Sequence, residues 1–282
     1  MADERIGVVR ELWRFPVKSM GGEPVQRTTI GALGVPGDRG WAIRDETAGE
    51  IRGAKKLPAL LRCSARYRTE PDGDAVPQAA ITLPDGRATG TDDPTIDGAL
   101  SALLGRTVRL CTRQPASDRD HYRRGLPDDP DIMAELRQIF GRTEDEPLPD
   151  LSTLPPEIME FTSPPGTYFD VFPLHLVTTA SLAAMDADVR RFRPNVVVET
   201  AAGVTGLVEA GWAGRTIRIG GAVVRGELPT VRCVMVTLPQ GDLGKDPSVL
   251  RRIVRDGDQN FGLYASVVTA GPVAVGDPVV LA

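Results

Sequence analysis

Thirty glycines and 24 prolines punctuate this chain of 282 residues. Glycine supplies the positive-φ positions of tight turns, and proline stops helices and interrupts strand ladders. A chain cut this often favours many short strands joined by turns, the pattern of a barrel. The segments between the punctuation agree. IGVVRELWRF (6–15) reads as a first strand, followed by the turn-like PVKSMGG, a second strand PVQRTTI, and the glycine-rich GALGVPGDRGWAI. LLRCSARYRT (60–69), AAITLP (79–84) and RTVRLCTR continue the β pattern. One helix is predicted over 96–105, with Asp93 or Thr95 as its cap. Residues 5–113 therefore read as a mixed, mostly β domain.

The stretch between Pro115 and Pro165 differs. It holds nine of the 24 prolines and twelve Asp or Glu against five Arg and no Lys. Only DIMAELRQIFG (131–141) has a helical pattern. Residues 114–165 read as an acidic, Pro-rich linker or a lid, because long loops in compact chains are usually functional or disordered. Beyond it, residues 166–282 form a third region. VFPLHLVTTASLAAM (171–185) reads as a strand and a helix, with Thr178 or Thr179 near the cap. RFRPNVVVET (191–200) is a strand entered through Arg193-Pro194-Asn195, and 214–228 is a hairpin turning at Gly220-Gly221. PTVRCVMVT (229–237), a helix from about Ser248 to Arg255, and two closing strands complete the chain.

Composition narrows the function. The chain is 41% hydrophobic and 25% charged, ordinary for a globular protein. Its net charge of −5 speaks against a general nucleic-acid-binding surface. The N-terminus MADERIGVVRELWRF has no secretory h-region, and no run of about 18 apolar residues exists to span a membrane. Cys63, Cys111 and Cys233 are odd in number and widely spaced, which argues against a disulfide framework and for a reducing, cytoplasmic location.

Most catalytic signatures are missing. There is no GxSxG elbow and no CxxC pair. GDLGK (241–245) has Pro239 where a P-loop needs its first glycine. His175 lies in an apolar segment and reads as a satisfied core histidine. What remains is a set of polar residues at turn-like places: Lys18-Ser19 after Pro16, Asp38-Arg39 among glycines, and Arg193 and Asn195 around Pro194. Singly each is an ordinary turn residue; together they offer the cations, hydroxyl and amide that suit a phosphate and a polar heterocycle. Cys233 is open to two readings. In a regular strand over 231–236 it shares a face with Val231 and Met235, and Arg232 points away, which favours a buried, inert thiol. The alternative is that it holds something.

Five of these stretches, in this order, resemble a known family: FPVKSMGG, GVPGDRGWAI, RFRPNVVV, VRCVMVT and FGLYASVVTAGPVAVGDPVVL. They are similar to MOSC proteins, and to the branch with an N-terminal MOSC β-barrel domain that includes the mitochondrial amidoxime-reducing component. The resemblance runs from about residue 5 to residue 282 and is weakest over the acidic stretch. It implies a β-rich α+β fold, a MOSC-type β-barrel with an N-terminal mostly β domain. It also implies a molybdenum cofactor, molybdopterin carrying Mo, with the Cys233 thiolate as a metal ligand, as soft sulfur suits such a metal. By the same resemblance Lys18, Ser19 and Arg39 hold the phosphate end, Arg193 and Asn195 the pterin side, and Thr178 and Thr179 lie near a further contacting segment. The family's eukaryotic members have a serine where Val231 stands, and no role falls to Asn260.

The implied activity is reduction of N-hydroxylated small molecules by oxygen transfer to Cys-ligated molybdenum. The alternative is a cofactor or sulfur carrier without turnover, or a barrel that has lost its cofactor. The chain lacks the cysteines of a ferredoxin-like domain and the family's membrane anchor, so a reductase would draw electrons from a separate donor, of ferredoxin or flavoprotein reductase type. The expected architecture is two β-rich lobes. Lys18, Ser19 and Arg39 come from the first and Arg193, Asn195 and Cys233 from the second, with the cofactor between them.

Overall fold

A computed structural model describes residues 3–282. Its largest sheet has eight strands in the order Val196–Thr200, Leu174–Thr178, Asn260–Thr269, Ala222–Val231, Thr216–Ile219, Pro278–Leu281, Glu4–Arg14 and Glu23–Val25. Glu4–Arg14 also pairs with Val196–Thr200, which closes seven of the eight into a barrel. Closure leaves no exposed edge within the ring. The β-rich α+β expectation holds, and the barrel takes a strand from each end of the chain.

All neighbours in the ring are antiparallel except Leu174–Thr178 and Val196–Thr200. A parallel pair needs a crossover, and the helix Thr179–Met185 lies in that connection. The expected hairpin turns at Gly220-Gly221, between Thr216–Ile219 and Ala222–Val231. In Glu4–Arg14 the register passes from Val9 opposite Val198 to Glu11 opposite Val197. The bulge lets Val9 and Leu12, three residues apart, both face the barrel core, where strict alternation would separate them.

Gly7 sits at the seam, paired with Thr200 on one side and Val279 on the other. A Cβ there would lie 2.2 Å from the Glu199 carbonyl oxygen, a backbone atom that cannot rotate away. Gly7→Ala is expected to cost about 2–3 kcal/mol of stability, read as a lower urea midpoint at unchanged slope. An unaltered midpoint would mean that the seam opens freely.

The rest of the N-terminal half packs two three-stranded sheets and a helix around a second core. One sheet joins Glu50–Arg52, Trp41–Asp45 and Val108–Thr112; the other joins Ser64–Tyr67, Ala79–Thr82 and Ala88–Gly90. The predicted helix over 96–105 forms as Ile96–Leu104, and Gly105 ends it in the left-handed region. Thr95 occupies its cap, but Asp93 does the bonding, accepting from the Thr95 backbone and hydroxyl. Ile43, Leu60, Ile81 and Leu100 fill this core.

The acidic stretch is packed down on the body. It forms short helices Arg119–Tyr122, Ile132–Phe140 and Glu157–Glu160. Tyr122 and Phe161 are buried with Ala42, Ile51 and Tyr168. Asp128 pairs with Arg52 and Lys56, and Glu135 also pairs with Lys56. Outside the barrel wall a third core gathers Val177, Phe192, Val236 and Phe261 under the helix Pro247–Asp256. Asp246 caps that helix and Pro247 starts it. Among the described residues no helix is long and apolar enough to cross a membrane.

Candidate functional site

Beyond Arg14 the first barrel strand gives way to a turn in which Ser19 has φ of 72°. The buried Lys18 ammonium donates to the Tyr168 carbonyl at 2.8 Å, the Asp170 carboxylate at 2.7 Å and the Ser163 hydroxyl at 3.4 Å. The Ser19 hydroxyl accepts from the Ala54 backbone at 2.8 Å. Loop 53–56 thus lies against this pair and brings Lys55 into reach of Lys18 and Asp170.

Phe15 organises the next two cations. Its backbone N–H donates to Asp38 at 2.8 Å, its carbonyl accepts from the Arg39 backbone at 2.7 Å, and Asp38 also binds the Arg39 guanidinium. Arg39 and Arg193 both lie over the Phe15 ring, at 5.3 and 4.2 Å from its centroid. Arg193 donates to the Met20 carbonyl, while its other terminal nitrogen is buried without a partner among the described residues. Arg39 and Arg193 have φ of 51° and 55°, so with Ser19 three site residues sit in the left-handed region. Such strain in non-glycine residues tends to collect where a site demands it.

Cys233 corrects the strand reading. The strand ends at Val231, and Cys233, half-buried and extended, precedes the short 3₁₀ turn Val234–Thr237. Register shifts at Pro229 and Val231 break the ladder first. Arg232 therefore does not point away. Its guanidinium donates to the Phe192 carbonyl at 3.1 Å, beside Arg193, and its Nε is buried without a partner among the described residues.

Lys18, Lys55, Arg39, Arg193 and Arg232 thus share one neighbourhood with Asp38 and Asp170. Burial, opposed by Asp170 and reinforced by Arg39 and Lys55, lowers the Lys18 pKa. Burial, with Arg39 adding to it, brings Arg193 down to about 9. Desolvation pulls Asp170 upward, but Lys18, Lys55 and Arg39 outweigh it and keep the carboxylate ionised. Burial raises the Tyr264 phenol, with Asp170 adding to it, so it stays protonated. Cys233 lies within Coulombic reach of both Tyr264 and Arg232.

His175 is not the satisfied core histidine expected. It is buried on the barrel's outer face, while its neighbours Leu174 and Leu176 point into the barrel core. Its Nε2 has no partner among the described residues. Burial first, then Arg232 and Arg39, hold its pKa well below the ordinary value, so the ring is neutral.

Three candidates are engaged elsewhere. The Asn195 amide accepts from the His175 backbone at 3.1 Å and reaches the Trp13 carbonyl at 3.4 Å, joining the entries of two strands. Thr178 is fully buried, bonded to Glu209 at 2.8 Å and capping the helix that follows. Thr179 accepts from the Thr200 backbone at 3.2 Å. Conversely, Lys55, Asp170 and Arg232 carry no local pattern that would single them out, and Tyr264 lies in the FGLY stretch to which no role fell.

Two family models together cover most of the chain. The family model described as MOSC domain matches residues 167–280, and that described as MOSC N-terminal beta barrel domain matches residues 6–92. The Homo sapiens protein named mitochondrial amidoxime reducing component 2 is 27% identical over 98% of this chain and 84% of its own. The Homo sapiens mitochondrial amidoxime-reducing component 1 is 24% identical over 99% and 84%. Among solved structures, the YUAD protein from Bacillus subtilis aligns with 99% of this chain and 96% of its own at 12% identity and a TM-score of 0.40, too loose a match to bear on function.

Proposed function

The chain belongs to the MOSC-domain proteins that carry a MOSC N-terminal beta barrel domain, and on that premise we propose that it holds the molybdenum cofactor and reduces N-hydroxylated compounds. The observation that carries this reading is that two of the four buried guanidinium nitrogens without partners among the described residues, on Arg193 and Arg232, lie in one neighbourhood, and that Arg232 adjoins Cys233. Unpaired buried donors on charged groups are costly, and an anion with several oxygen or nitrogen acceptors would relieve them. Among the described residues no three His, Cys, Asp or Glu side chains group as a metal site. A metal at Cys233 would depend on the cofactor for its remaining ligands.

In this reading the Cys233 thiolate is the protein's ligand. Arg39 and Lys55 face the phosphate with guanidinium and ammonium donors, and Lys18, whose three N–H groups already meet Tyr168, Asp170 and Ser163, adds positive charge. Arg193 and Arg232 offer their free N–H groups to the pterin, and His175, neutral, offers its free ring nitrogen. Asn195, Thr178 and Thr179 act one step back by fixing the backbone that carries these groups. When bound, the cofactor supplies two-electron reduction with removal of oxygen from nitrogen. The protonated Tyr264 phenol can donate a hydrogen bond there, and the ionised Asp170 can accept one. The electrons come from a separate donor protein.

The test uses protein expressed in a host that makes the cofactor, reduced viologen, and an aryl amidoxime. Two electrons and two protons should be consumed for each amidine and water formed. A molybdenum-loaded protein that forms no amidine would favour the carrier reading. Folded protein without molybdenum, from a host that loads a control enzyme, would overturn the cofactor reading.

A further inference from the structure

We propose that Arg142, from the acidic stretch, is a positioning residue for the Cys233 turn. Arg142 is 6% exposed although it follows an exposed helix in a segment that reads as a linker. Gly141 ends that helix in the left-handed region, and the turn carries Arg142 inward. Its guanidinium donates to the Gln259 side-chain carbonyl at 3.0 Å, the Phe140 carbonyl at 2.6 Å and the Arg232 carbonyl at 3.5 Å. The Arg232 carbonyl belongs to the peptide that leads into Cys233.

One further bond and one close approach surround that peptide. The Arg232 N–H donates to the Gln259 backbone carbonyl at 3.0 Å, so Gln259 bridges Arg232 and Arg142. On the other side of Cys233, a Cβ placed on Gly141 would lie 3.6 Å from Val234. Arg142 therefore bonds the peptide immediately before Cys233, and Gly141 lies near Val234, immediately after it. Arg251 ties the same segment down by donating to the Gly141 carbonyl and to Glu146.

The partners of Arg142 are neutral carbonyls, and Cys233 lies within its Coulombic reach. A cation so placed does two things. It restricts the peptide that aims the sulfur, and it places positive charge near a thiolate ligand. Groups that orient a ligand without touching the metal commonly change metal affinity by about 10- to 100-fold. The acidic stretch is then part of the site, supplying its outer brace. The bracing stands on the geometry alone; its consequence for molybdenum rests on the function proposed above.

The experiment compares wild type with Arg142→Ala, Arg142→Lys and Gln259→Ala. Hydrogen exchange of peptide 231–237 in cofactor-free protein tests the brace without reference to metal. Exchange there should rise about tenfold in Arg142→Ala, the scale of one or two lost net hydrogen bonds. Molybdenum per chain in loaded protein should fall about tenfold or more in Arg142→Ala. The electron paramagnetic resonance signal of the partly reduced protein should shift, with partial rescue in Arg142→Lys. If Arg142→Ala does not fold, Arg142→Lys and Gln259→Ala carry the test. Unchanged exchange and unchanged metal in the folded variants would overturn the proposal. Increased exchange with no molybdenum even in wild type would keep the brace and reject the cofactor reading.

Discussion

Cys233→Ser protein, expressed where the cofactor is made, is expected to fold normally and to lose its molybdenum. Serine has nearly the same shape, and the Cys233 side chain caps nothing in the turn it precedes, so folding does not depend on the thiol. A hydroxyl is a poor replacement for a soft sulfur donor at such a metal. Altering groups that only support a ligand costs about 10- to 100-fold, so replacing the ligand should lower amidoxime turnover by at least about a hundredfold. Elemental analysis of the two proteins, with melting curves as the control, checks this. Equal molybdenum and equal turnover would return Cys233 to the role of a half-buried structural residue. A large drop in melting temperature would mean that the thiol supports the fold.

Arg193→Met is expected to separate binding from folding in the opposite sense to an ordinary core substitution. Arg193 is buried over Phe15 with one carbonyl acceptor and one unpartnered nitrogen. Burial, then Arg39, bring its pKa down to about 9, so the folded protein holds this proton less tightly than the unfolded chain does. The sign follows. The charged side chain opposes folding at pH 7, and that opposition fades as pH rises through about 9. Cofactor-free Arg193→Met should therefore be at least as stable as wild type at pH 7, with its advantage shrinking between pH 8 and pH 10. Methionine keeps contact with the ring but cannot bind an anion. Removing one partner of a buried charged contact costs about 2–5 kcal/mol, so cofactor retention should fall by about a hundredfold. Urea titrations at the two pH values and molybdenum content after dialysis measure both halves. A loss of several kcal/mol in the cofactor-free protein at pH 7, without pH dependence, would make Arg193 a structural residue.

Much of the architecture was legible because it depends on near neighbours in the chain. The Gly220-Gly221 hairpin, the helix ending at Gly105 and the helix ending at Gly141 each follow from a few consecutive residues. The K-S, D-R and R-P-N elements could be singled out as polar residues in turns, and Lys18, Arg39 and Arg193 do converge. Asn195 was equally visible, but whether its amide faces a ligand or a neighbouring strand is decided by His175 and Trp13, far away in sequence.

Three readings needed the folded chain. Alternation predicts that Arg232 turns from Cys233, yet the ladder breaks before it and the alternation with it. The apolar residues around His175 predict a core position, but the barrel wall has two faces and it lies on the outer one. Arg142 stood in a stretch whose prolines and acids say only that it is not a regular element, and it is buried beside the cysteine.

The sequence by itself determined where the chain turns, which segments extend, and which polar residues stand at the turns. Those properties are set by φ preferences and by apolar spacing over a few residues. The tertiary structure alone decided that five cations share one neighbourhood, with Arg39 and Arg193 over Phe15 and Arg232 at Phe192 next to Cys233, and which of their nitrogens are left without partners. That outcome depends on barrel closure between strands nearly two hundred residues apart and on the bulges that shift their register. Bulges and closure are properties of strand pairs, and no single stretch of sequence contains both partners.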